Sequence, residues 1–264
     1  MKKYFWVSII LVVIGAVAIG VFSRRTQPIV TQEKSQSVAP ATDQVEITSS
    51  GKDSNQVESK AESAPPTDRD QKIPEKMFVK VPFTSQAPFS QWDERHEEAC
   101  EEASLLMVAY YLQKKSLNRD IAEKEIQAMI NFQIKNYGDY KDSNAAGVVR
   151  LAKDYFNLDN LRAIYDFKPE DLRREVARGN PVIVLAAGRR LGNPNFTAPG
   201  PLYHALVVVG YDGQTIITND PGTRKGEGYR YDLDTLYSAI HDFPGRLDDI
   251  EKGRKAMIVI AGDN

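Results

Sequence analysis

One cysteine, Cys100, stands in the 264 residues. A lone thiol excludes an intramolecular disulfide framework and every zinc site built from several cysteines. Histidine is scarce as well: His96, His204 and His241 are the whole supply, and their scatter offers no metal-ligand spacing. Neither a metal nor an organic cofactor is therefore implied. Charge of one sign is not in excess, since 34 Lys and Arg against 36 Asp and Glu leave a net charge of −2. Nucleic-acid binding needs a clustered basic surplus to neutralise phosphates, so a dedicated nucleic-acid partner is excluded. Long hydrophobic runs are missing except at the N-terminus, which rules out a polytopic membrane protein. At 42% hydrophobic and 27% charged, the chain is not wholly disordered either.

The one long apolar run is Tyr4 to Phe22, preceded by Lys2 and Lys3 and followed by Arg24 and Arg25. As a helix rising about 1.5 Å per residue it reaches roughly 30 Å, the thickness of a bilayer core. Residues 1–25 read as a signal anchor with the short basic N-terminus inside and the remainder exported. The alternative is a cleaved signal peptide with Ala16-Val17-Ala18 as its small-residue site, although that site lies inside the apolar run. Both readings place the body outside the cytoplasm. Residues 26–76 then turn to Ser, Thr, Gln, Glu, Asp and Pro, with no aromatic residue before Met77. Such a segment cannot bury enough apolar surface to offset its ordering entropy, and reads as a disordered linker spanning on the order of 40 Å. Residues 77–264 are left to form the folded domain.

Helical spacing of Ala103, Leu106, Met107, Tyr110 and Tyr111 predicts a helix over 99–114, with Cys100 at its start. Helices over 119–132 behind Asn118 and over 145–156 behind Asn144 follow. A short helix from Pro169 to Arg178 precedes a buried strand over 181–186, and the Gly/Pro/Asn-rich stretch 188–202 reads as a loop. Two β-rich runs, 204–211 and 214–219, flank Asp212-Gly213, a strong hairpin signal. A polar helix over 232–241 and a strand over 256–261 finish the chain. Helices first and an antiparallel sheet second predict an α+β domain.

A thiol at a helix start is suited to nucleophilic chemistry, because backbone N–H groups and the helix dipole favour its thiolate. It also needs a base. His96 and His241 lie in polar surroundings and read as surface histidines, whereas His204 opens an apolar strand at the edge of a Pro/Gly loop. The hairpin returns the chain opposite His204 at Asn219-Asp220-Pro221, where either Asn219 or Asp220 could orient the imidazole. A plain two-residue turn puts Asn219 on the face of His204; one extra residue, in the loop or as a bulge, puts Asp220 there.

The runs Val81-Pro82-Phe83-Thr84-Ser85-Gln86, Cys100-Glu101-Glu102-Ala103-Ser104-Leu105-Leu106-Met107, Tyr203-His204-Ala205-Leu206-Val207-Val208-Val209-Gly210-Tyr211 and Asn219-Asp220-Pro221 occur in that order. Together they resemble cysteine peptidase family 39 within the papain-like clan, whose relatives include bacteriocin-processing peptidases that cut after a double glycine. The resemblance implies a papain-like fold with Cys100 as nucleophile, His204 as general base and then acid, Asp220 as orienting carboxylate and Gln86 as oxyanion donor. Gln91 is a second candidate for that last role, since the family's glutamine usually lies nearer its cysteine. Where the family usually reads Cys-Gly-Pro, this chain reads Cys-Glu-Glu. Carboxylates of Glu97, Glu98, Glu101 and Glu102 disfavour a thiolate if they face the sulfur. The resulting expectation is a membrane-anchored, extracytoplasmic cysteine peptidase acting on a peptide or protein substrate. The alternatives are a non-catalytic module binding a peptide or a cell-wall component, and a thiol acyltransferase.

Overall fold

A computed structural model describes residues 72–262. The signal anchor expected over 1–25, and nearly all of the linker expected over 26–76, lie outside the described residues.

Among the described residues, six α-helices and seven strands follow one another along the chain. Strand β1 (Lys76–Phe78) leads to a single-turn helix α1 (Glu94–Glu97), followed by α2 (Cys100–Leu112), α3 (Arg119–Tyr137) and α4 (Ala145–Phe156). Next come β2 (Leu161–Tyr165), α5 (Pro169–Ala177), β3 (Val182–Ala187), β4 (Tyr203–Asp212), β5 (Thr215–Asn219), β6 (Tyr229–Asp232), α6 (Leu233–Ala239) and β7 (Ala256–Ile260). All strands join one antiparallel sheet in the order β2-β7-β3-β4-β5-β6, with β1 paired to the far half of β4. The α+β expectation holds, with one correction: β1 and β2 come from the half read as purely helical. Both are short, and neither carries an alternating pattern strong enough to announce itself.

Every residue of α2 from Cys100 to Tyr110 is buried, the polar Glu101, Glu102 and Ser104 included, and this helix forms the centre of the domain. Asn118 caps α3 by accepting from Ile121 N–H at 2.9 Å, and Asn144 caps α4 by accepting from Gly147 N–H at 2.9 Å. Helix α3 runs past the expected end at Phe132. Its stop is Gly138, whose φ of +88° provides the left-handed residue that closes a helix. Polar Gln133, Lys135 and Asn136 hide this last turn from a hydrophobicity argument. The 188–202 stretch is largely loop, opening with one 3-10 turn over Gly188–Leu191.

Strands β3 and β4 carry the core: β3 is buried throughout, and so is β4 from Tyr203 to Tyr211. The β4–β5 hairpin closes through the two-residue turn Gly213-Gln214, with Asp212 opposite Thr215. One step breaks the register. Val207 pairs with Asn219 and Val208 with Thr218, yet Gly210 pairs with Ile217, so Val209 is an extra residue bulged out of the ladder.

Candidate active site

That bulge decides which residue meets the histidine. Side chains alternate across a strand, so one inserted residue moves every later partner to the opposite face. Asp220 consequently lies on the face of His204, and its Oδ1 sits 2.8 Å from Nε2 of the imidazole. Asn219 faces away, where its Nδ2 donates to Val81 O at 3.2 Å and its Oδ1 accepts from Gly228 N–H at 3.2 Å. Both members of the His204–Asp220 pair are buried, at 1% and 0% exposure.

Four donors converge on Asp220. Oδ1 takes His204 Nε2 and, at 3.0 Å, Gly222 N–H; Oδ2 takes the Tyr231 hydroxyl at 2.6 Å and Asn193 Nδ2 at 3.1 Å. Burial pushes this carboxyl up, but the imidazole, the Tyr231 hydroxyl and the Gly222 N–H outweigh it and hold Asp220 below the usual carboxylate range. Phe196 packs edge-on against the imidazole with ring centres 5.2 Å apart. Gly222 has no room for a side chain, because a Cβ there would lie 2.8 Å from both His204 Cε1 and Phe196 Cε1. Sequence reading did not single out Asn193, Phe196, Gly222 or Tyr231. The 188–202 loop and the short strand β6 gave no signal that they return to His204.

Cys100 is the first residue of α2 and is 5% exposed. Ala99 before it makes no side-chain cap bond, so the first-turn N–H groups are not satisfied in that way. Helix α2, with Cys100 at its start, packs against β4, the strand that carries His204. The thiol nevertheless bonds elsewhere, donating to Glu101 Oε2 at 3.0 Å. Glu101 Oε1 in turn accepts from Ser143 N–H at 2.7 Å, and Ser143 O accepts from the Tyr203 hydroxyl at 2.5 Å. Burial raises the Cys100 thiol well above an ordinary cysteine, and the adjoining Glu101 carboxyl adds to the rise by charge and by hydrogen bond. Burial, then the neighbouring Glu102, raise Glu101 in the same way. Glu102 itself is pushed up to about 7 by burial, against the opposing bond from Gln133 Nε2 to its Oε1. Of the four glutamates flagged in sequence, Glu101 is the one that touches the sulfur.

The remaining sequence candidates fall differently. Gln86 is buried, and its Nε2 donates to the carbonyls of His96 at 2.8 Å and Glu97 at 3.1 Å, so its amide pins the α1 turn. Gln91 is exposed on the loop before α1. His96 corrects the expectation of a surface residue: it is buried, with Nδ1 2.8 Å from Asp93 Oδ1 and Nε2 2.9 Å from Glu123 Oε2. A charged neighbourhood signalled exposure, whereas here it supplies the partners that make burial tolerable. His241 is half-buried, with Nδ1 2.9 Å from Gly253 O.

No curated protein matches this sequence. Among solved structures, a C39-like peptidase candidate from Bacillus anthracis aligns over 72% of this chain and 99% of its own, at 16% identity and a TM-score of 0.46. A prointerpain A fragment from Prevotella intermedia aligns over 73% and 74%, at 12% identity and a TM-score of 0.44. Xylellain, a cysteine protease from Xylella fastidiosa, aligns over 73% and 88%, at 15% identity and a TM-score of 0.37. The family model is the more direct finding, for it matches residues 78–243, a span that includes the thiol, the imidazole and the carboxylate described above. The chain belongs to the Peptidase_C39 like family.

Proposed function

We propose that this protein is a cysteine peptidase that cleaves peptide or isopeptide bonds through an acyl-enzyme on Cys100. The observation that carries the proposal is the buried His204–Asp220 pair, its imidazole on β4, the strand against which α2, with Cys100 at its start, packs. In the first step Sγ attacks the carbonyl carbon while His204 takes the thiol proton, and His204 then gives that proton to the departing amine, leaving the acyl group as a thioester on Cys100. Water then attacks the thioester, with His204 as base, and releases the acid. Asp220 fixes the imidazole so that Nε2 points at the carboxylate and Nδ1 is left for the chemistry. Gln86 serves as an oxyanion donor only when its amide leaves the two carbonyls it holds in the resting state. Residues 1–25 and 26–76, as anchor and tether, place the domain on the outer side of a membrane.

A second reading has its own support. The hydrogen bond from Cys100 to Glu101 keeps the thiol protonated, as suits a non-catalytic module that binds a peptide. A degenerate peptide library incubated with the full-length protein and read by mass spectrometry separates the two. Cleavage that disappears in both Cys100→Ala and His204→Ala is expected. Equal cleavage by Cys100→Ala refutes the peptidase, and peptides retained intact by the wild type favour the binding module.

A further inference from the structure

We propose that Tyr231 and Asn193 are positioning residues for His204, acting through Asp220, and that Asn193 ties the alignment of the imidazole to the seating of the 188–202 loop. The inference rests on the reading of His204 as a working base. A carboxylate has about four lone-pair sites, and at Asp220 all are taken by donors. Two of them, Nε2 of His204 and Gly222 N–H, share Oδ1. With nothing on Oδ2 the group would be free to pivot about its last torsion, and the imidazole would follow it. The Tyr231 hydroxyl and Asn193 Nδ2 close that freedom from the other side.

Each of the two is held in place. Tyr231 is buried on β6, paired with Ile216 of β5, and its hydroxyl also accepts from Asn193 Nδ2 at 2.9 Å. Burial and the neighbouring Asp220 push that hydroxyl far up, so it stays protonated and donates. The Asn193 amide is turned by its own loop, for its Oδ1 accepts from Asn195 N–H at 3.0 Å and from Asn195 Nδ2 at 3.1 Å. The same loop lays Phe196 on the imidazole. It therefore reaches the pair twice, once on the ring and once on the outer oxygen of the carboxylate. The titratable groups facing Asp220 are His204 from β4 and Tyr229 and Tyr231 from β6.

The test uses the full-length protein with labelled histidine and aspartate, followed by NMR as wild type, Tyr231→Phe and Asn193→Ala. Hydrogen bonds to a charged group are strong enough that losing one should speed solvent exchange of the His204 Nε2 proton about tenfold and raise the Asp220 titration by about one pH unit. Both changes are expected in each variant, and a purely structural role would move neither. An unmoved exchange rate and an unmoved carboxyl in folded variants overturn the inference. Alkylation of Cys100 by iodoacetamide in wild type and His204→Ala reports on the underlying reading. If it is indifferent to His204 at every pH, the base role fails and takes the positioning role with it. If it depends on His204 while Tyr231→Phe and Asn193→Ala change nothing, the inference alone fails.

Discussion

Replacing Glu101 by glutamine should make Cys100 more acidic and more reactive. Sulfur and carboxylate oxygen lie 3.0 Å apart with the thiol almost wholly buried. Two full charges at that distance repel by about 5 kcal/mol at an effective dielectric of about 20, so forming the thiolate beside an ionised Glu101 is strongly opposed. In Glu101→Gln the charge is gone, the shape is kept, and the amide presents an N–H donor to the sulfur. The burial penalty on the thiolate remains, so only part of the rise is relieved, and we expect the midpoint to fall by about two pH units. Because Cys100 is the sole cysteine, iodoacetamide labelling counted by intact mass reports on one site and needs no knowledge of the substrate. Labelling of the wild type should climb only above the ordinary thiol range near about 8.5, and that of the variant should climb about two pH units earlier than the wild type. A midpoint unchanged or raised in Glu101→Gln refutes the claim that this carboxyl holds the thiol protonated.

Two further outcomes concern stability. Glu102 has an ordinary value of 4.5 and is pushed up to about 7 in the folded protein, so between these limits the folded state binds the extra proton. Stability is therefore full below about 4.5 and falls as pH rises through about 7, by about 3 kcal/mol in all. Glu102→Gln should flatten that decline and raise the melting temperature at alkaline pH by several degrees in a thermal-shift series, while an unchanged pH slope speaks against it. Gly222→Ala should lose about 1–3 kcal/mol in urea unfolding, because its Cβ meets His204 and Phe196 at distances no real contact shows. Wild-type stability in that variant would mean that the loop yields without cost.

Much of the site was legible because local chemistry wrote it. Asn118 and Asn144 announced α3 and α4, Asp212-Gly213 announced the hairpin, and helical spacing put Cys100 at the start of α2. The choice between Asn219 and Asp220 was not legible from the turn, which is the plain two-residue form that by itself selects Asn219. It hung on one inserted residue inside β4. A signal for it existed in Gly210, since glycine in a strand marks a bulge or a close backbone approach. A Cβ there would lie 2.8 Å from Met77 O on β1. Strand β1 was itself unseen, so the reason for the glycine was unseen too. Tyr231 and Asn193 stayed hidden for a different reason, as they lie 11 and 27 residues from Asp220 and no local motif joins either to it. His96 was misread because residue type alone does not distinguish a solvated charge cluster from one folded around an imidazole.

The bridge from Cys100 through Glu101 to Ser143 also fixes where a proton goes. An ordinary thiol that reacts with an alkylating agent hands one proton to the solvent. Here the departing proton already lies on the line between Sγ and a carboxyl that burial makes unusually retentive. Once sulfur is capped, Glu101 Oε2 has lost its donor and is a buried anion without compensation on that oxygen, a state that taking up the proton removes. Modification of Cys100 at a pH where Glu101 is ionised should thus release less than one proton per molecule into an unbuffered solution. The missing fraction stays inside the protein as the neutral acid of Glu101.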